Sequence, residues 1–320
     1  MENLMPWVLS GLGLVILLLA GDSLVKGAVN LSLRLGVPAL IVSLTIVAFG
    51  TSAPELLISI QAILDDAPGL ALGNVVGSNT ANILLVLGIP ALLATMHTSE
   101  CETKKTYNYM IAASLLFIAL AFRGVFDWIS AIVLLAALAY VLFDQAMEAK
   151  NHRAAGSEDG DEAEDLEGVD PELPGWRIAV FLVLGLIGLP LGASLLVDNA
   201  TIIAKTYGVS DTVIGLTLVA IGTSLPELAT TVMAALRRQA DVALGNVIGS
   251  NMFNLLAIIG IASFVGPIPV DPEFLYFDLW VMLAASVLLV PFVYMRRDIT
   301  RIWGVVLSAL YVGYLAIVLI

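Results

Sequence analysis

Long apolar runs dominate this chain, and polar positions interrupt them at only a few places. Runs able to cross about 30 Å of hydrocarbon as a helix need roughly 20 residues. They fall near 5–27, 37–64, 68–94, 105–122, 125–147, 176–200, 209–236, 241–264, 274–294 and 301–319. The runs are solid rather than alternating, which argues for helices and against barrel strands. The pattern predicts an all-α membrane protein with ten transmembrane helices.

The interruptions occur in duplicate. Residues 45–88 and 217–260 align without a gap at an offset of 172, with 22 identities in 44 positions. The shared residues include Gly, Pro, Ser, Thr, Asn and one glutamate per copy, Glu55 and Glu227. Ten spans then divide into five plus five. Because five is odd, the second half enters from the opposite side, giving two inverted five-helix repeats about an axis in the membrane plane. The expected organisation is a first repeat over 1–147, an acidic linker over 148–175 and a second repeat over 176–320.

Composition agrees. Charged residues make up 13% of the chain and apolar residues 59%, with a mean hydropathy of +0.98, where a soluble domain carries about 25% charge. The net charge of −13 is local. Residues 144–172 hold eleven acids against two bases, Lys150 and Arg153. This stretch lacks the apolar residues for a core and reads as a disordered, solvated linker. It also lacks the ligand spacing of a calcium-binding helix–loop–helix. With both termini outside, Lys and Arg divide twelve inside to two outside, Arg123 and Lys205. That asymmetry places the linker in the cytoplasm, with the chain in the cell membrane.

Several classes drop out. Cys101 is the only cysteine, and His97 and His152 fall in expected connections. The chain therefore has no intrachain disulfide, and the spans hold no Cys or His metal cluster. No nucleophile–base constellation lies in the spans, so an enzyme is not expected, and no cofactor is implied. The glycines of the motif precede no Lys-Ser/Thr and follow no strand, so they are not a phosphate loop. No basic patch suggests nucleic acid. The first ten residues lack a basic start, so the first run is expected to be a retained helix rather than a cleaved signal.

The duplicated residues carry the chemistry. In Gly50-Thr51-Ser52-Ala53-Pro54-Glu55 and Gly222-Thr223-Ser224-Leu225-Pro226-Glu227, proline removes one backbone donor and clashes with the carbonyl four residues back. The helix should break there and free carbonyls that hydrocarbon cannot satisfy. A hard cation, which takes oxygen ligands, can. Ala48, Thr51, Ser52 and Glu55 share one helical face, as do Ala220, Thr223, Ser224 and Glu227. A proline kink serving packing alone is the plain alternative, but it gives no reason for a mid-membrane acid in both copies, each costly unless compensated. Downstream, Asn74, Ser78 and Asn82 share a face, and so do Asn246, Ser250 and Asn254. Asn79 and Asn251 point away from those faces, so packing alone weighs more for them than for the other asparagines. Asp22, Asp198 and Asp278 have no duplicated acidic partner and read as helix-end or inter-helix hydrogen-bonding groups.

The paired GTSxPE and GNxxGSN motifs resemble the alpha-repeats of the sodium/calcium exchanger family, within the wider Ca2+/cation antiporters, and are most similar to its prokaryotic branch. The resemblance covers nearly the whole chain. It implies a secondary antiporter exchanging Ca2+ for Na+ by alternating access, with spans 1 and 6 sliding across the core. It also implies that Glu55 and Glu227 are shared ion ligands. Thr51, Ser52, Ser78, Thr223, Ser224 and Ser250 would be oxygen donors, the Ala48 and Ala220 carbonyls Na+ ligands, and Asn82 and Asn254 would flank the centre. Ca2+ and Na+ are then substrates, the bilayer is the surrounding partner, and the oligomeric state is left open. Exchangers of this kind often carry an aspartate where this chain has Asn254. Two carboxylates rather than three leave the exchange ratio open, and leave Na+ and H+ both standing as the counter-ion.

Overall fold

Helices form where the apolar runs lie, and a computed structural model describes residues 4–154, 170, 172–208 and 220–318. The first helix, α1 (Met5–Leu35), runs eight residues past its expected end. At 1.5 Å per residue its 31 residues span more than a hydrocarbon core of about 30 Å. Gly36 ends it with φ 65°. Gly36 N–H bonds the Leu33 carbonyl and Val37 N–H that of Ser32, a left-handed cap that glycine makes without strain.

The predicted break in the second span is present. Helices α2 (Ala39–Thr51) and α3 (Ala53–Leu64) meet at a 41° bend, with Ser52 at φ −84°, ψ 2° between them. Pro54 sits in the first turn of α3, where its missing N–H costs nothing. Next come α4 (Pro68–Leu93), α5 (Lys104–Ala121), a two-residue strand β1 (Val125–Phe126) and α6 (Trp128–Ala154).

In the second half, α7 (Gly175–Thr206) mirrors α1 in length. A helical turn, Ala220–Thr223, then reaches Ser224, at φ −87°, ψ 6°, before α8 (Leu225–Leu236). The remaining elements are α9 (Ala240–Val265), β2 (Ile268–Pro269), α10 (Phe274–Tyr294) and α11 (Arg301–Val318). β1 and β2 pair antiparallel.

Among the described residues, seven helices are long and apolar enough to cross a membrane, and the bent α2–α3 pair makes eight. Ten were expected. Two expected spans fall short: Lys104, Lys105 and Asn108 dilute the 18 residues of α5, and α8 has only twelve. Residues 209–219, the start of the expected seventh span, lie outside the described residues.

The linker also begins later than expected. α6 carries helix to Ala154 and takes His152 with it, so His152 lies on a helix rather than in a connection. Lys105 reaches from α5 to Asp144 at 2.5 Å and Glu148 at 2.9 Å, on successive turns of α6, which offsets the acids that suggested a linker. Residues 155–169 and 171, where disorder was expected, lie outside the described residues.

Packing sets α4 and α9 apart. They are 78% and 89% buried over their most apolar stretch and form the middle of the molecule, while the other spans turn apolar faces outward. Each is reached through the same tight turn. Asp66 and Arg238, 172 residues apart, both take φ 56°. Around them Ala67 N–H bonds the Ala62 carbonyl, and Gln239 N–H that of Ala234.

α1 and α7 pack antiparallel at backbone distance: a Cβ on Gly13 would lie 2.6 Å from Leu196 N, and one on Gly192 would lie 2.8 Å from Leu17 N. Glycine is what allows that approach between membrane helices. α1 also packs on α8, where a Cβ on Gly21 would lie 2.9 Å from the Ala229 carbonyl oxygen. Asp22 there pairs with Arg237 and with Lys26. Asp278 accepts from Tyr314 on α11, so Asp22 and Asp278 bond between helices, whereas Asp198 accepts from Ser194 one turn back on its own helix. Cys101 is buried in the 94–103 connection, and that burial, with Asp241 beside it, pushes its thiol well above the usual range.

Candidate ion site

The proline break delivers both glutamates to the interior. Glu55 and Glu227 are each only 1% exposed, one helical residue beyond Pro54 and Pro226. Contacts between the halves knit the surroundings. Ser52 Oγ, from the break between α2 and α3, donates to Glu227 Oε1 at 3.3 Å. Ser250 Oγ lies 3.5 Å from the same oxygen. The Thr51 hydroxyl sits 3.2 Å from Asn246 Oδ1 and 3.4 Å from the Ser250 hydroxyl.

The sites expected for the Ala carbonyls differ. The Ala48 carbonyl accepts both the Ser52 N–H, at 3.0 Å, and the Thr51 hydroxyl, at 3.2 Å. In the second copy Ser224 N–H bonds Ile221 instead. Ala220 stands at the start of the described turn. Thr223 is half-buried beside it, and Ser78 is buried on α4.

Asn74 and Asn246, which share a helical face with the other polar residues, act as braces. Asn74 Nδ2 donates to the Glu55 carbonyl at 3.2 Å and Ser59 Oγ at 3.1 Å. Asn246 does the same to the Glu227 carbonyl at 3.3 Å and Thr231 Oγ1 at 3.1 Å. Each ties its glutamate-bearing helix to the next one.

What is left over defines the chemistry. Among the described residues, five buried oxygens in this region have no hydrogen-bond partner: Glu55 Oε2, Glu227 Oε2, Asn82 Oδ1, Asn254 Oδ1 and Ser224 Oγ. Buried polar atoms are rarely left so, and a set of carboxylate, amide and hydroxyl oxygens suits a hard cation.

Two features escaped the sequence reading. Asn82 opens a π-helical turn, Asn82–Val86, and Asn254 lies in another, Phe253–Ile258; such bulges gather at functional sites, and no residue pattern signals them. Asn79 and Asn251, weighted toward packing by the face they occupy, bond each other's backbone carbonyls across the middle of the molecule at 3.2 and 3.3 Å. Their duplication at the same offset was the available sign.

The family model described as sodium/calcium exchanger protein matches residues 5–146 and 177–320. This chain belongs to the sodium/calcium exchanger family. The exchanger is 36% identical to sodium/calcium exchanger MaX1 of Methanosarcina acetivorans, over 96% of each chain. It is 35% identical to inner membrane protein YrbG of Escherichia coli, over 86% of this chain and 85% of that one. Its fold matches the solved sodium-calcium exchanger NCX_Mj, soaked with zero Na+ and Ca2+, with a TM-score of 0.82 and 32% identity over 98% of this chain and 99% of that one. The family is one of transporters rather than enzymes, and a cation/Ca2+ antiporter is the activity the site has to explain.

Proposed function

We propose that this exchanger moves Ca2+ in exchange for Na+ by alternating access, with Glu55 and Glu227 as shared ligands. The unpartnered buried oxygens around these two acids carry the reading. Thr51, Ser52, Ser78, Thr223, Ser224 and Ser250 supply neutral oxygens, Asn82 and Asn254 flank the centre, and the Ala48 and Ala220 carbonyls serve Na+. Two fixed negative charges balance one Ca2+ or two Na+. A third Na+ would leave a net positive charge in a low-dielectric site, which is expensive.

The ten-span arrangement as two inverted repeats belongs to the same proposal. Two observations support it: α1 and α7 cross antiparallel, with Gly13 against Leu196 and Gly185 against Leu24, contacts that exchange under the 172-residue offset, and Asn79 and its mate Asn251 bond each other reciprocally. The termini face outward, the linker faces the cytoplasm of the cell, and α1 with α7 slides across the buried core.

Proteoliposomes given Na+, K+ and H+ gradients one at a time test the coupling. Ca2+ flux driven by the Na+ gradient, with none driven by a pH gradient alone, is expected. Flux driven by the pH gradient and indifferent to Na+ would replace the reading with Ca2+/H+ antiport, which Asn254 keeps chemically open.

A further inference from the structure

Four asparagines meet where α4 and α9 pack together. Asn79 Nδ2 donates to the Asn251 backbone carbonyl, and Asn251 Nδ2 to that of Asn79. A carbonyl can only accept, so each bond commits the NH2 end of its amide. The two amide oxygens must then face elsewhere, and each takes one neighbour. Asn254 Nδ2 donates to Asn79 Oδ1 at 3.0 Å, and Asn82 Nδ2 donates to Asn251 Oδ1 at 3.0 Å. The NH2 end of each of Asn82 and Asn254 is thereby held against a neutral amide oxygen. Their remaining atoms, both Oδ1, are buried without a partner.

We propose that Asn79 and Asn251 are positioning residues: they fix which end of the Asn82 and Asn254 amides faces the transported cation, so that an oxygen does and an NH2 does not. This rests on the ion-site reading given above. The physical need is specific to an amide beside ionised carboxylates. A free amide turns its NH2 toward such a group, because that bond is charge-assisted. Turned that way, it would occupy the carboxylate and present hydrogen atoms to the incoming ion. Holding the NH2 against an uncharged amide oxygen removes the competition. Packing alone needs buried small side chains here but no particular amide orientation. The two paths run crosswise, Asn251 to Asn82 and Asn79 to Asn254, so each brace governs one named partner.

That crosswise arrangement supplies the test. An aspartate offers an oxygen whichever way it faces, so it needs no orienting. Asn251→Leu, which keeps the branched shape and loses the polar atoms, should raise the KM for 45Ca2+ uptake in proteoliposomes about 10–100-fold, the usual effect of losing an outer partner of an ion ligand. Adding Asn82→Asp should recover most of that loss, whereas adding Asn254→Asp, which brings the same charge, should not. Asn79→Leu should show the opposite preference, rescued by Asn254→Asp, and it carries the test should Asn251→Leu not fold. An unchanged KM in a folded Leu variant, equal rescue by both aspartates, or rescue by neither would overturn the proposal. Failure of the unsubstituted protein to take up Ca2+ would instead overturn the functional reading beneath it.

Discussion

Glu227 and Glu55 occupy equivalent places in the two copies of the motif, yet their surroundings differ. Ser52 and Ser250 converge on Glu227 Oε1. Ser224, the mate of Ser52, is buried with its hydroxyl unpaired. The same imbalance holds further out. Asp22 on α1 pairs with Arg237 at the end of α8. Their mates at the 172-residue offset, Ser194 and Asp65, bond within their own neighbourhoods instead, to Asp198 and Gln61. The braces from Asn74 and Asn246, by contrast, are the same in both copies. The amide braces are therefore symmetric, while the hydroxyl contacts on the glutamates and the Asp22–Arg237 pair are not. The alternating access proposed above would use such a division, with shared braces and contacts that pass from one half to the other.

The comparison can be broken most severely at the acids. Glu55→Gln and Glu227→Gln should each bring Ca2+ uptake in proteoliposomes below detection while the protein stays folded. If the copies were unequal in the ion site itself, one variant would retain transport.

A smaller effect separates the hydroxyls. Ser52→Ala removes a bond to a buried carboxylate, a contribution of about 1.5–3 kcal/mol, or roughly ten- to a hundredfold in apparent affinity. With ions added from one side of the membrane the loss should be greater than for Ser224→Ala, and from the other side the order should reverse. Equal losses from both sides would remove the asymmetry from the mechanism.

The smallest expected effect is on stability. Asp22→Asn leaves Arg237 half-buried without an anion, which costs about 1–2 kcal/mol. Thermal unfolding in detergent should show a drop of a few degrees, and Asp65→Asn, on the mirrored side, should show almost none.

The sequence made some of this visible and concealed the rest for physical reasons. Proline and glycine act through the backbone of their own turn, so the break at Ser52 and its repeat at Ser224 could be read directly. The burial of Glu55 and Glu227 followed from their place in apolar runs. The number of apolar spans did not follow as well, because α5 begins with Lys104 and Lys105 and α8 is short. Acids at 144 and 148 suggested a linker, since a sequence does not show that Lys105 on another helix neutralises them. Asn79 and Asn251 were undervalued for a related reason. Helical periodicity ranks residues by the face of their own helix, whereas these two act through bonds to the opposite copy.

The central claim is that both glutamates hold a single dehydrated divalent ion between the halves. Anomalous diffraction from crystals of the exchanger soaked in Sr2+ tests it most directly. The account predicts one strong peak with oxygen ligands slightly beyond the roughly 2.3–2.6 Å of Ca2+, drawn from the carboxylates of both Glu55 and Glu227. A peak bound to only one of them, or two carboxylates separated with the ion elsewhere, would contradict it.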